Sequence, residues 1–410
     1  MQKLWNKNFT ILSIGSFISA LGSAVAGISF GILIYLETHS PLLLAAFTIT
    51  NIIPRVIANF LVGPFVDRHS RVKMIYMLDF FYTAVFAVIA LVLFTGYFNV
   101  IVFMGVAAFL GVTDTIYQTA FMSLFPETVP KGQHSKAYSI SSLIWPISAA
   151  LMAPIATFFI QTFPSYGVAI LMSFNAVTFL ITASMETFIK VEETLNQNPI
   201  EKFQFIQDIK EGVSYYKKER GILGIGILFM AFSFVYAASD LLRMPFFQES
   251  SIYNLNHFAF LISAGSIGRI IGGVIHYTFK LEKKNKFKIA LAVYFTVEIL
   301  DAILLFTPFA MMVVFTFIVG VLSVTSFNIR MSATQTYIPS EKRGRVNSVQ
   351  SLLWNVGAIL GTLILGIIAE YTTIGYQYLI LGSAIVSITA IFLVPVRMKE
   401  DFKKIYNVDV

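Results

Sequence analysis

Apolar residues in this chain run in long unbroken stretches, not in the short alternations of soluble helices and strands. A bilayer core about 30 Å thick takes around 20 apolar residues wound as a helix. By that measure the pattern predicts twelve spans, at 9–36, 42–66, 74–96, 99–125, 137–162, 166–188, 221–247, 256–279, 287–306, 309–337, 346–371 and 374–396. The connections are short and polar, apart from 189–220. Between Glu201 and Arg220, the residues Phe205, Ile206, Ile209, Val213 and Tyr216 recur every three or four positions, with Lys and Glu between them. That spacing predicts an amphipathic helix lying along the membrane surface and strapping the two parts of the chain together. The first span is too long for a cleaved signal and follows no signal-type leader, so it is expected to remain in the mature protein.

Charge sits in alternate connections. Lys3 and Lys7 lie at the amino end, Arg68, Arg71 and Lys73 after span two, and Lys131 and Lys136 after span four. The central loop holds Lys190, Lys202, Lys210, Lys217, Lys218 and Arg220, and the loop after span eight Lys280, Lys283, Lys284, Lys286 and Lys288. Lys342, Arg343 and Arg345 follow span ten, and Arg397, Lys399, Lys403 and Lys404 lie in the tail. These are 25 of the 29 Lys and Arg, and the other four (Arg55, Arg243, Arg269, Arg330) lie inside spans. Basic loops stay in the cytoplasm, so both termini are expected to be cytoplasmic. The net charge of +7 therefore reads as topology and implies no nucleic-acid partner. Composition agrees, since 12% charged residues against about 25% in soluble domains cannot cover a water-facing surface.

Several chemistries are excluded. The absence of Cys rules out disulfides and thiolate nucleophiles. The five His (39, 69, 134, 257, 276) show no metal spacing. With no Gly-x-x-x-x-Gly-Lys-[Ser/Thr] loop, ATP does not drive this chain. No cofactor and no enzymatic activity are expected, and a proton gradient is the expected source of energy.

The chain also repeats itself. A shift of 209 positions lays Gly63 on Gly272, Gly111-Val112 on Gly320-Val321 and Met122-Ser123 on Met331-Ser332. The same shift lays Pro130 on Pro339, Ser139 on Ser348, Ser142-Leu143 on Ser351-Leu352 and Trp145 on Trp354. Two six-helix halves, 1–188 and 221–410, are thus joined by the linker 189–220. Parallel repeats of this kind are a transporter architecture with the substrate site near the midplane. The expected fold is an all-α membrane protein whose twelve transmembrane helices form two pseudo-symmetric six-helix bundles.

The strongest local motif is Gly63-Pro64-Phe65-Val66-Asp67-Arg68-His69-Ser70-Arg71-Val72-Lys73. Its glycine would let two helices approach closely, and its charges lie just outside the membrane. The string resembles the G-x-x-x-D-R-x-x-R-[RK] signature of the major facilitator superfamily, a resemblance that extends over the whole chain. It implies a cytoplasmic latch on the outward-open state, with Asp67 reaching toward Arg345 at the start of span eleven and Arg71 or Arg68 meeting Glu127. The second copy has lost the acid and the arginine, having His276 and Tyr277 there. Within the superfamily the chain is similar to the macrolide-efflux branch of drug:proton antiporters. Pro126-Glu127-Thr128-Val129-Pro130, Asp208-Ile209-Lys210-Glu211-Gly212 and Arg343-Gly344-Arg345-Val346 carry that similarity. It departs in span five, where Trp145-Pro146-Ile147-Ser148-Ala149-Ala150 replaces the glycines of the exporters' Gly-Pro-x-x-Gly-Gly motif.

Ionisable residues inside spans are paired or functional by default. Arg269 and Glu298 are level on one hairpin, with Asp301 one turn beyond Glu298, so an ion pair of Arg269 with either acid is expected; proton carriage is the other reading. Arg55 and Asp114 are also level, and the resemblance places span four at a central cavity. Asp114 is thus the first candidate for a protonatable coupling group, with a permanent Asp114–Arg55 bridge as its rival. Arg330 has no acid level with it on a neighbouring helix; it could bind an anionic substrate or answer a carboxylate in the other half, and otherwise snorkels to the interface. Asp240 and Arg243, three apart, suggest a local salt bridge or outer gate. Ser16, Ser19, Ser23 and Gly27 of span one, with Tyr117, Gln118, Tyr236, Phe327 and Asn328, are the candidate cavity wall.

Such a wall suits an amphipathic molecule better than a sugar. The expected function is proton-coupled efflux of a hydrophobic or amphipathic small molecule, of macrolide or multidrug type, by alternating access. The expected setting is the cell membrane of a bacterium, where the protein would work as a monomer surrounded by lipid. An importer of a small nutrient and a non-transporting membrane sensor remain open readings.

Overall fold

The computed structural model describes residues 3–193, 205–278 and 281–408. Among them are fourteen α-helices and no strand. They are α1 (Lys7–Thr38), α2 (Pro41–Val66), α3 (Arg71–Phe94), α4 (Val100–Thr128), α5 (His134–Thr162), α6 (Gly167–Glu186) and α7 (Phe205–Lys218). Then follow α8 (Arg220–Glu249), α9 (Leu255–Thr278), α10 (Lys286–Ile303), α11 (Phe309–Tyr337), α12 (Ser340–Tyr371), α13 (Tyr376–Ile391) and α14 (Lys399–Tyr406). All but α7 and α14 belong to the twelve stretches long and apolar enough to cross a bilayer, in agreement with the twelve predicted spans.

Helix starts follow local chemistry. Asn6, Ser70 and Asn99 each accept a hydrogen bond from a first-turn backbone N–H of α1, α3 and α4, satisfying donors that have no partner within the helix. The largest boundary difference is at α12, which begins at Ser340 and not at 346. Pro339 precedes it, and the polar turns Ser340–Arg345 continue the helix into water, where apolar run length no longer marks it.

The chain divides into two compact units, Met1–His39 with Ala46–Ile200, and Ser40–Ala45 with Glu201–Val410. In the first, α3 packs along α6, and α1 lies against both α5 and α6. Gly22 makes the α1–α6 approach possible, because a Cβ there would stand 2.2 Å from Asn175 Oδ1. Phe9, Leu12, Val66, Ile75, Leu124 and Phe125 close the loop end of this unit as a core. In the second unit α9 lies along α11 and α12 along α8. The stripe Gly265, Gly268 and Gly272 faces Thr316, Phe317 and Val321 of α11, the helix packing that small-residue spacing predicts within a membrane.

Two short helices fasten the second unit from outside the bilayer. In α14, Phe402, Ile405 and Tyr406 are buried, and Gly221 and Gly224 of α8 make room for Ile405 and Phe402. The Tyr294 and Tyr406 hydroxyls are 2.9 Å apart, and Lys286 Nζ donates to Val408 O at 2.8 Å. By charge alone the tail reads only as a basic segment; its Phe–x–x–Ile–Tyr spacing is the sign of a docked face. The linker helix α7 packs on α12, with Gly212 against the Arg345 carbonyl. Its Tyr216 is buried and donates to Gln350 Oε1 at 2.9 Å. The predicted membrane-surface strap is therefore, in its described part, a helix docked on protein; the side chains of Phe205, Ile206 and Ile209 lie outside the described residues.

Elsewhere the helices present apolar side chains outward. Leu91, Ile101 and Ile385 are 66, 75 and 65% exposed. Patches of this kind would aggregate in water, whereas lipid tails cover them without cost.

Candidate functional site

In the first unit α1, α2, α3, α4 and α6 line a cavity of about 410 Å³. Phe30, Phe47, Phe86, Phe103 and Phe179 supply much of its wall. The Phe30 ring lies 6.0–6.1 Å from those of Phe47, Phe86 and Phe103. The polar points are Ser23, Thr48, Asn51, Arg55, Tyr82 and Asp114. Their placement rests on Gly111, where a Cβ would come within 2.4 Å of the Asn51 carbonyl. That approach lets Asn51 Nδ2 donate to Ala107 O at 2.9 Å, while its Oδ1 accepts from Arg55 Nη2 at 2.7 Å. Asn51 thereby holds the guanidinium toward Asp114, which also neighbours Gln118. Arg55 and Asp114 share one cavity, as their level positions predict, but no direct ion pair joins them. The permanent bridge is not formed here.

Other expected wall residues are placed differently. Ser23 and Gly27 line the cavity, but the Ser16 and Ser19 hydroxyls bond back to Leu12 O and Ser16 O. Tyr117 stacks on Phe121, with ring centroids 6.3 Å apart, and neighbours Asp79 and Glu186 instead of facing the cavity. Neither acid is among the expected sites. The available signal is a carboxylate inside a predicted span with no base level with it, and it applies to both.

At the loop end of the same unit Arg71 Nη1 meets Glu127 Oε1 at 2.5 Å. Glu193 accepts from Ser70 Oγ at 2.6 Å and from the Arg71 backbone N–H at 2.5 Å. A carboxylate at a helix N-terminus is favoured by the orphan N–H groups and the macrodipole; no sequence pattern marks Glu193, because it lies in the linker, far along the chain from the helix it caps. Asp67 stands exposed just past α2, and Arg68 beside it is half-buried. No atom of its own unit lies within 4 Å of a Cβ built on Gly63. The charge-swapped pair Arg71→Glu/Glu127→Arg is expected to recover about 1–2 kcal/mol relative to the sum of the single variants, read as unfolding midpoints in detergent.

In the second unit Arg330 lies 4.3 Å from the Phe229 ring and 5.8 Å from that of Phe327. It borders a cavity of about 320 Å³ with Tyr216, Asn347, Gln350 and Trp354. The aromatic faces hold its charge in place of a carboxylate. Phe327 is exposed and Asn328 half-buried. Arg345 Nη1 pairs with Glu211 Oε2 of α7 at 2.5 Å. Corrections fall on the ion pairs. Arg243 pairs with Asp301, which also accepts from Ser239 Oγ at 3.0 Å. Glu298 bonds the Ser387 hydroxyl, so neither acid takes Arg269. Arg269 instead lies within electrostatic range of Asp240 and Tyr236. Level positions on α9 and α10 suggest the Arg269 pair, but α10 turns its acids toward α8 and α13.

Twelve bilayer-length helices built as a repeat, with a largely apolar cavity broken by a few polar side chains in the first unit, are the architecture of a membrane transporter. The sequence model of the Major Facilitator Superfamily matches residues 12–300 and 289–407, and the chain belongs to that family. It is 22% identical over 397 residues to Macrolide efflux protein A of Streptococcus pyogenes, covering 94% of this chain and 95% of that protein. Its namesake from Enterococcus faecalis is 21% identical over 233 residues, covering 56% of this chain and 70% of the relative. Among solved structures, a point mutant of the nucleoside transporter NupG has a TM-score of 0.69 at 14% identity, covering 95% of this chain and 99% of its own. A bacterial homolog of the human lysosomal transporter Spinster, inward-facing and occupied, has a TM-score of 0.68 at 12% identity, covering 96% and 97%. These likenesses establish the fold of a multi-pass membrane protein.

Proposed function

We propose that this transporter exports a hydrophobic or amphipathic small molecule, of macrolide or multidrug type, in exchange for protons by alternating access. The observation that carries the reading is the first-unit cavity, whose phenylalanine wall is broken by Asp114 and Arg55. A concave apolar wall binds an amphipathic ligand through burial, and few polar points are needed to orient it. One carboxyl beside one fixed cation can alternate between protonated and ionised states, which couples proton binding to substrate binding. The name of the Streptococcus pyogenes relative supports the substrate class. The signature residues Asp67, Arg68 and Arg71, with Glu127 and Arg345, act together as the cytoplasmic latch. Both termini face the cytoplasm of a bacterial cell, and the monomer is the working unit.

Inverted membrane vesicles test this. Imposing an acid interior should drive uptake of a radiolabelled macrolide, and a protonophore should cut that uptake at least about tenfold. Uptake unchanged by the protonophore, or found only in right-side-out vesicles, refutes proton-driven export.

A further inference from the structure

Two carboxyl groups are enclosed in the first unit away from the cavity. Asp79 of α3 and Glu186 of α6 are both 0% exposed. They face each other across the α3–α6 packing, within hydrogen-bonding reach. None of their four oxygens has a donor. Two carboxylates can only repel, whereas one proton between them makes a hydrogen bond. No base answers the charge. The ionisable residues on the packed helices are Tyr82 beside Asp79; Asp114, Tyr117 and Glu127 of α4; Lys7, Tyr35 and Glu37 of α1; and His134, Lys136 and Tyr138 of α5. Arg71, Lys73 and Tyr76 stand earlier on α3, where Arg71 is taken by Glu127. Glu186 is the only ionisable residue of α6 and its last, so its charge would also meet the negative end of the helix dipole.

The surroundings fit a proton and not a larger cation. On the α1 side, a Cβ at Gly15 would already stand 3.6 Å from Glu186 Oε1. Tyr82 and Tyr117 add two buried hydroxyls, near Thr113 and Ser19 respectively, and Tyr82 also borders the cavity that holds Asp114.

We propose that Asp79 and Glu186 form a buried proton-binding site that adjoins the transport cavity at Tyr82. It deepens the proton-coupled reading above and rests on it for the direction of transport. The step is a single protonation, in which one carboxylate oxygen takes up a proton and releases it again. No other bond changes.

Infrared difference spectroscopy on the purified wild-type protein tests occupancy without relying on transport. At neutral pH a carbonyl stretch of a protonated carboxylic acid should be present and shift in D₂O. Asp79→Asn and Glu186→Gln, isosteric with the protonated forms, should each remove or displace it. In proteoliposomes both variants should keep substrate counterflow at equal pH and lose at least about tenfold of pH-driven accumulation. Wild-type transport that ignores a pH gradient would defeat the functional reading and leave the spectroscopic test standing. An unchanged acid band in both variants overturns the site, as does a band that responds to sodium chloride but not to choline chloride.

Discussion

Asp114→Asn is expected to lower proton-driven efflux at least about tenfold, to the level of cells lacking the protein, while folded protein is made in normal amounts. Asn keeps the size of the side chain but cannot exchange a proton. The cavity would then be fixed in one electrostatic state, with the Arg55 charge permanently unanswered across it. Misfolding is an unsuitable explanation for such a loss, because placing an ionised Asp within a span costs about 2.5–3.5 kcal/mol on insertion scales and the neutral amide avoids that cost. Asp114→Glu, which retains a titratable group one methylene further out, should keep partial activity with an altered pH dependence. Measurements are drug accumulation in cells and pH-jump transport in proteoliposomes. Full activity of Asp114→Asn would remove this residue from the coupling mechanism.

The membrane architecture is legible in the sequence because its cause is one-dimensional. Lipid demands a helix of set length, basic loops mark one side, and the 209-residue repeat aligns Gly111 with Gly320, two glycines that do the same packing work. Pairing between helices is less legible, because depth along a span is readable but helix rotation is not. Arg55 and Asp114 are level and do share a cavity. Arg269 and Glu298 are equally level, yet α10 directs Glu298 to Ser387 and Asp301 to Arg243. Asp79 and Glu186 escape for a related reason. Level positions reveal charges of opposite sign, and two acids facing each other have no such counterpart. Contacts outside the bilayer, such as Glu193 capping α3 and Phe402 docking under α8, fall where hydropathy carries no signal.

Gly111→Val and Gly320→Val should produce matching structural failures in the two halves. A Cβ at Gly111 would lie 2.4 Å from the Asn51 carbonyl, and one at Gly320 2.3 Å from the Gly265 carbonyl. Both obstacles are backbone, so a helix must move by about an ångström; a side-chain rotation cannot relieve the clash. Lipid tails are as apolar as the helix faces, which leaves close packing as a main source of association, and separating the helices forfeits it along their length. Overpacking of this kind costs about 1–3 kcal/mol and occasionally more, with valine at the upper end and Gly→Ala below it. Gly105→Val and Gly273→Val are the matched controls, since nothing lies within 4 Å of a Cβ at either position. Denaturation midpoints in detergent should fall for the first pair and stay near wild type for the second. If Gly320→Val alone were harmful, the repeat would be shared in sequence but not in packing. A tolerated Gly111→Val would also mean that the Asn51 contact does not set the position of Arg55, and with it the geometry around Asp114.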